Sequence, residues 1–300
     1  MSPLRSVLCA VDLSEEGDAA IRQADEVARL HRARLIAYHA LPVPSRSAPL
    51  FPHLAQADNT AFVTLERRVL EALVARVTAV TGRASADFEV ELGAGSAHSA
   101  IVEDAERLGV DLIVVGGGGP RGVMRAVLGA VAERVVRYAH CAVWVARPSP
   151  AAGPVIAASD LSDPSMPAIE AGVDFGKRRG VKVSVMHALA FQQVLPPMAS
   201  AGMPAMPLWS PADFEKIRAE LGQQLTTAVR RFDPDAEVIV SEGRPATLIL
   251  ELAQQRSAGL ICVGTKGRSG LSRMVLGSVA EEVVRHAGCA VLVVRLPGGS

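Results

Sequence analysis

Two glycine-rich stretches carry the residue types best suited to chemistry. The apolar run Leu260–Val263 leads into Gly264-Thr-Lys-Gly267-Arg-Ser-Gly270-Leu-Ser-Arg-Met-Val-Leu-Gly277-Ser278, a G-x2-G-x9-G-S spacing. Glycine lets a backbone bend and lets an anion approach its N–H groups. A helix starting at Gly277-Ser278 would add unpaired N–H donors, a partial positive charge and the Ser278 hydroxyl. Each charge-assisted hydrogen bond contributes roughly 1.5–3 kcal/mol, so a few together could hold a triphosphate. The spacing recurs as Gly116-x2-Gly119-x9-Gly129. It is not a Walker A loop, because Lys266 lies between the glycines, and no G-x-G-x-x-G follows the first strand.

The recurrence belongs to a duplication of the chain. Residues 132–145 (AERVVRYAHCAVWV) and 280–293 (AEEVVRHAGCAVLV) share ten of fourteen positions at an offset of 148. The same offset carries Asp12 onto Asp160, His39-Ala40 onto His187-Ala188, Gly95 onto Gly243 and Gly129 onto Gly277. Tandem domains are therefore expected at 1–149 and 150–300, joined through the Pro- and Gly-containing segment 147–153.

The elements that must position these glycines alternate strand and helix. In the first repeat the strands are expected at Ser6–Val11, Arg34–Ala40, Asp87–Glu91, Leu112–Val115 and Ala142–Val145. The helices are expected at Glu15–His31, Asn59–Thr81, Ala97–Leu108 and Gly129–Ala139. The second repeat has the same order, with a helix from Ser165 to Arg179. Such alternation predicts an α/β fold: two doubly wound domains, each a five-stranded parallel sheet, with ligands at the carboxyl ends of the strands. Two proline-containing stretches, Leu41–Asp58 and Phe191–Ser210, break the alternation and read as lids, partner surfaces or disordered loops.

Composition narrows the function. Of 300 residues, 31 are Lys or Arg and 31 Asp or Glu, and neither half departs from neutrality by more than one charge. That balance argues against a nucleic-acid partner. No apolar run approaches the ~20 residues of a membrane span, and the start has no signal-peptide layout, so a cytoplasmic protein is expected. Cys9, Cys141, Cys262 and Cys289 form no CxxC pair; no metal site is expected, and buried thiols are the reading for all but Cys141. No nucleophile pairs with a base at a useful spacing, so catalytic residues are not assigned. Asp12 and Asp160 could also serve as simple caps, and His39 and His187 read as core histidines.

On these motifs the chain resembles tandem universal stress proteins over essentially its whole length. That family's ATP-binding members carry G-x2-G-x9-G-[ST] after the fourth strand, as Gly264, Gly267, Gly277 and Ser278 do here. The resemblance implies a Rossmann-like, adenine nucleotide α-hydrolase-like fold and a regulatory, stress-adaptation module that binds ATP, with Mg2+ as its companion. It implies that phosphates rest on this loop and touch Arg268, Ser269 and Val279. Asp160 would meet the adenine–ribose end, the Ala188 backbone adenine, and Gly243 would leave room, with Val263 flanking the loop. The corresponding first-repeat set is Asp12, Ala40, Gly95, Val115, Gly116, Gly119, Arg121, Gly129, Ala130 and Val131. Ala130 replaces Ser278 and Pro120 replaces Arg268, so the second repeat is expected to bind ATP more tightly. A slow ATPase and a nucleotide-free scaffold are the alternatives. The apolar last strands, expected at sheet edges, suggest a homodimer through edge or domain contacts.

Overall fold

The computed structural model describes residues 3–42, 59–118, 128–189, 211–265 and 276–295. The chain divides into two compact units, Ser2–Pro148 and Ser149–Ser300. In the first, strands β1 (Ser6–Ala10), β2 (Arg34–Leu41), β3 (Glu89–Ala94), β4 (Leu112–Gly116) and β5 (Ala142–Ala146) alternate with helices α1 (Asp18–His31), α2 (Asn59–Thr81), α3 (Ala97–Arg107) and α4 (Ala130–Tyr138). The strand order is β3-β2-β1-β4-β5, and every pair within it is parallel. The order reverses between β1 and β4, which opens a crevice at their carboxyl ends.

The second unit repeats the plan with β6 (Val155–Ser159), β7 (Val183–Leu189), β8 (Glu237–Glu242), β9 (Leu260–Gly264) and β10 (Ala290–Val294). Its helices are α5 (Met166–Arg179), α6 (Pro211–Arg230), α7 (Pro245–Gln255) and α8 (Ser278–His286). Its order is β8-β7-β6-β9-β10, again parallel, with the reversal between β6 and β9.

These strands form because they are near-continuous aliphatic runs, as a sheet covered on both faces requires. Val7, Leu8, Ile36, Leu112, Ile113 and Val114 are fully buried in the first domain. Val155, Ile156, Val185, Leu260, Ile261 and Leu292 are likewise fully buried in the second. Each such side chain contributes roughly 1.5–3 kcal/mol on burial. Helix α5 lies so close to its sheet that a Cβ on Gly172 would stand 2.9 Å from the Ala157 methyl carbon.

The expected element order holds, and the boundaries shift. The first helix starts at Asp18 rather than Glu15, because the chain turns at Leu13 (φ 62°). In the second domain Asp163–Ser165 is a single 3-10 turn ahead of α5. Strand β3 begins at Glu89 rather than Asp87, since Ser85–Asp87 form another 3-10 turn, and it pairs with β2 as far as Ala94. Most of Leu41–Asp58 and the whole of Phe191–Ser210 lie outside the described residues; Leu41 itself ends β2.

Candidate functional site

The β1 ladder runs one residue past its strand, with the Val11 N–H donating to Tyr38 O at 2.8 Å. The next residue, Asp12, accepts on Oδ1 from the Ser14 N–H (3.0 Å) and hydroxyl (2.7 Å), fixing the turn that Leu13 makes with positive φ. Helix α1 itself begins at Asp18, and Gly17 before it gives no side-chain cap, so Asp12 caps the turn and not the helix. In the second domain Asp160 Oδ1 likewise accepts from the Ser162 N–H (3.0 Å) and hydroxyl, with Leu161 at φ 62°. A second layer supports that turn. Ser159 Oγ accepts from the Leu161 N–H at 3.0 Å and lies 2.9 Å from Ser165 Oγ, whose hydroxyl donates to Ser162 O at 2.8 Å. Val11 and Gly17 occupy those positions in the first domain, so its turn lacks this hydroxyl pair.

His39 and His187 lock the neighbouring strands. Nδ1 of His39 lies 2.7 Å from Val11 O, and Nδ1 of His187 lies 2.8 Å from Ser159 O. A carbonyl only accepts, so each Nδ1 carries the hydrogen. Next come Ala40 and Ala188, in register with Gly93 and Ser241. Gly95 and Gly243 donate to Leu41 O (3.0 Å) and Leu189 O (3.1 Å) with φ of 114° and 142°, a region side chains disfavour. Among the described residues, no heavy atom lies within 4 Å of where a Gly95 Cβ would be.

The glycine loops are closed at the neck. Gly117 N–H donates to Ala146 O (2.8 Å), and Gly129 N–H donates back to Gly117 O (3.0 Å). In the first domain Gly118 has φ 71°, and a Cβ there would stand 2.8 Å from Gly129 Cα, so this neck as built has no room for one. In the second domain Thr265 N–H donates to Val294 O (3.0 Å) and Gly277 N–H to Thr265 O (2.9 Å). Each neck delivers the chain into a helix, α4 or α8, whose N-cap glycine (Gly129 or Gly277) offers no side-chain acceptor. Among the described residues, no N-cap side chain takes up the first N–H groups of either helix, donors of the kind a ligand or water can meet. Ser278 and Ala130 are exposed there, and Val131 is 40% exposed. Among the described residues, a Cβ on Gly116 would meet nothing within 4 Å.

The fold thus brings Asp12, Ala40, Gly95, Gly116, Gly129, Ala130 and Val131 to the carboxyl edge of the first sheet. It brings Asp160, Ala188, Gly243, Gly264, Gly277, Ser278 and Val279 to that edge of the second. Val115 and Val263 are each 2% exposed, so they offer a site only their backbone. Gly119, Arg121, Gly267, Arg268 and Ser269 lie outside the described residues.

Three features of the edge were not read from the sequence. Arg244, next to Gly243, reaches Glu282 on α8, with Nη2 3.4 Å from Oε2. Ser96, His98 and Ser99 gather at the start of α3, with Ser99 Oγ 3.3 Å from His98 Nε2. In the second domain an open groove of about 620 Å³ between the start of α5 and α6 is lined by Met166, Gln224 and Arg231 among others. At the first two of those positions the first domain has Asp18 and Arg76, which close the gap with a 2.7 Å ion pair. The Arg244–Glu282 pair and the groove join residues far apart in the chain, which spacing does not reveal, whereas Ser96, His98 and Ser99 are close in sequence and were passed over. Cys9, beside Asp12, is no nucleophile: burial, and secondarily the Asp12 charge, push its thiol up to about 12.

Fold and site define a duplicated doubly wound α/β protein with a loop pinched at its neck by backbone hydrogen bonds and a helix start whose N-cap is glycine in each half. The chain belongs to the universal stress protein family, whose model matches residues 3–147 and again 152–295. It is 28% identical over 296 residues to a universal stress protein of Mycolicibacterium smegmatis, covering 96% of both chains. It is 34% identical over 198 residues to universal stress protein Rv1996 of Mycobacterium tuberculosis, 63% of this chain and 60% of that one. Among solved structures, a universal stress protein of Archaeoglobus fulgidus superposes with a TM-score of 0.63 at 18% identity, over 97% of this chain and 98% of that one, a likeness of fold. Among the described residues, no helix is long and apolar enough to cross a membrane.

Proposed function

We propose that the carboxyl-edge site binds an adenine nucleotide, ATP with Mg2+, and that the protein is a regulatory module rather than an efficient enzyme. The observation that carries this reading is a neck pinched by backbone hydrogen bonds that feeds a helix N-terminus whose cap residue is glycine. It presents N–H donors and a partial positive charge with no side chain of the cap residue in the way. In the second domain Gly264, Gly267, Gly277, Ser278 and Val279 would hold the phosphates with Arg268 and Ser269. Asp160 and the Ala188 backbone would meet ribose and adenine, and Gly243 would leave room. The first domain would use Asp12, Ala40, Gly95, Gly116, Gly119, Arg121, Gly129, Ala130 and Val131 in the same way.

Ala130 in place of Ser278 removes one charge-assisted hydrogen bond, worth roughly 1.5–3 kcal/mol, or about 10- to 100-fold in affinity. Isothermal titration of the full chain with ATP·Mg2+ tests the reading, using Gly116→Val to block the first site and Gly264→Val the second. The expected outcome is two sites, the tighter lost in Gly264→Val. Failure to bind ATP at millimolar concentration overturns the reading; equal affinities in the two variants overturn the ranking.

A further inference from the structure

We infer that Arg244 selects for the polyphosphate of a nucleotide in the second-domain site, and that Glu282 holds it in reserve when the site is empty. The inference rests on the nucleotide reading above. Arg244 is the residue between Gly243, which is pinned to Leu189 O at the end of β7, and the first helical residue of α7, Pro245. Its extended backbone (φ −71°, ψ 124°) projects a side chain that reaches α8. The residue it meets there, Glu282, lies four positions after Ser278, and side chains so spaced share one helix face. The guanidinium therefore spans from the glycine proposed to accommodate the nucleoside to the first turns of the helix proposed to hold its phosphates.

The bridge is built to be exchanged. Arg244 is 79% exposed and Glu282 36%, and exposed pairs of this kind are weak and screened by salt. A phosphate chain offers the planar fork paired oxygens and more charge than one carboxylate, at the positive end of a helix. Adenosine offers neither. Glu282 competes for the guanidinium, so the carboxylate sets a threshold that a polyphosphate passes and an uncharged nucleoside does not engage. The first domain uses other residues at the same two places: Ser96 for Arg244 and Arg134 for Glu282. Its mouth therefore has a cation on the helix and no opposing carboxylate at the paired position, so the device belongs to the second domain.

The test is calorimetric titration of full-length protein carrying Gly116→Val, with ATP·Mg2+ and adenosine as separate probes. Arg244→Ala is expected to weaken ATP at least fivefold and leave adenosine within twofold, with Arg244→Lys in between. Glu282→Gln is expected to tighten ATP two- to fivefold, and to have no such effect once Arg244 is Ala. The ATP loss in Arg244→Ala shrinks with added salt. An equal change for ATP and adenosine, or none for ATP, overturns the role of Arg244. Tightening by Glu282→Gln that persists without Arg244 overturns the holding role, since Glu282 would then act by direct repulsion. If the Gly116→Val parent binds neither probe, the nucleotide reading of this domain falls, and this inference with it.

Discussion

Asp25 on α1 anchors the outer layer of the first domain, and removing its carboxylate gives the clearest energetic test of the fold. Both oxygens accept from Arg29 Nε, at 3.1 and 2.9 Å, and Oδ1 also accepts from Arg83 Nε beyond the end of α2. The Asp25 and Arg83 side chains are 13% and 14% exposed, whereas Arg29 is 57% exposed. Breaking a buried pair from one side costs ~3–5 kcal/mol, because a charge is left without its partner. The Arg29 arm adds little at its exposure. Arg83 keeps a hydrogen bond to Asp87 O (3.2 Å), which lowers the loss to about 2–4 kcal/mol. For a domain of this size ~3 °C accompanies each kcal/mol, so Asp25→Ala should lower the first-domain transition by about 6–12 °C. Thermal unfolding with hydrogen-exchange mass spectrometry separates peptides of α1 from those of α5, whose protection should not change. The second domain has Val173 where the first has Asp25, 3% exposed. Accordingly Asp25→Val with Arg83→Leu should regain most of the loss, as apolar replacement of both partners does. A single-variant loss under about 1 kcal/mol, or a double variant less stable than the single, would refute the reasoning.

Two further outcomes follow from the same structure. Cys9 and Cys262 are buried with thiols pushed up by desolvation, so iodoacetamide at mildly alkaline pH should label half-exposed Cys141 and spare them; native-state labelling of Cys9, read by peptide mass spectrometry, would contradict this. The Glu237 carboxyl is held below its ordinary value, first by the Arg256 hydrogen bonds and then by the Ser184 hydroxyl (3.0 Å). A depressed carboxyl stabilises the fold above its unfolded pKa, and that contribution disappears as pH falls through its folded pKa. The stability advantage of the natural protein over Glu237→Gln should therefore be constant at neutral pH and vanish in acid, and urea titrations showing it lost already near pH 7 would count against the linkage.

Much of the site was legible before any coordinate. Glycine has few reasons to recur at Gly116, Gly129, Gly264 and Gly277 on one offset other than backbone approach, and the aliphatic strands before them set the sheet edge. Ser278 against Ala130 was a difference of chemical type, so the ranking of the two domains could be argued from letters. The starts of α1, α5 and β3 were less legible. Asp12 and Ser14 hold the chain in a turn where helical periodicity had already begun, and Ser85–Asp87 and Asp163–Ser165 form 3-10 turns that periodicity does not distinguish from helix or strand.

The sequence by itself determined the duplication, the parallel α/β architecture and the identity of the glycine loops, because periodicity, offset and small-residue placement are properties of order along the chain. Tertiary structure alone decided that Arg244 faces Glu282, 38 residues away, and that Arg83 returns to Asp25, 58 residues away. It alone decided that the loop necks close through Gly117 and Thr265 carbonyls. Those pairings depend on where crossover helices land on the sheet, a distance set by packing in three dimensions that no local spacing encodes.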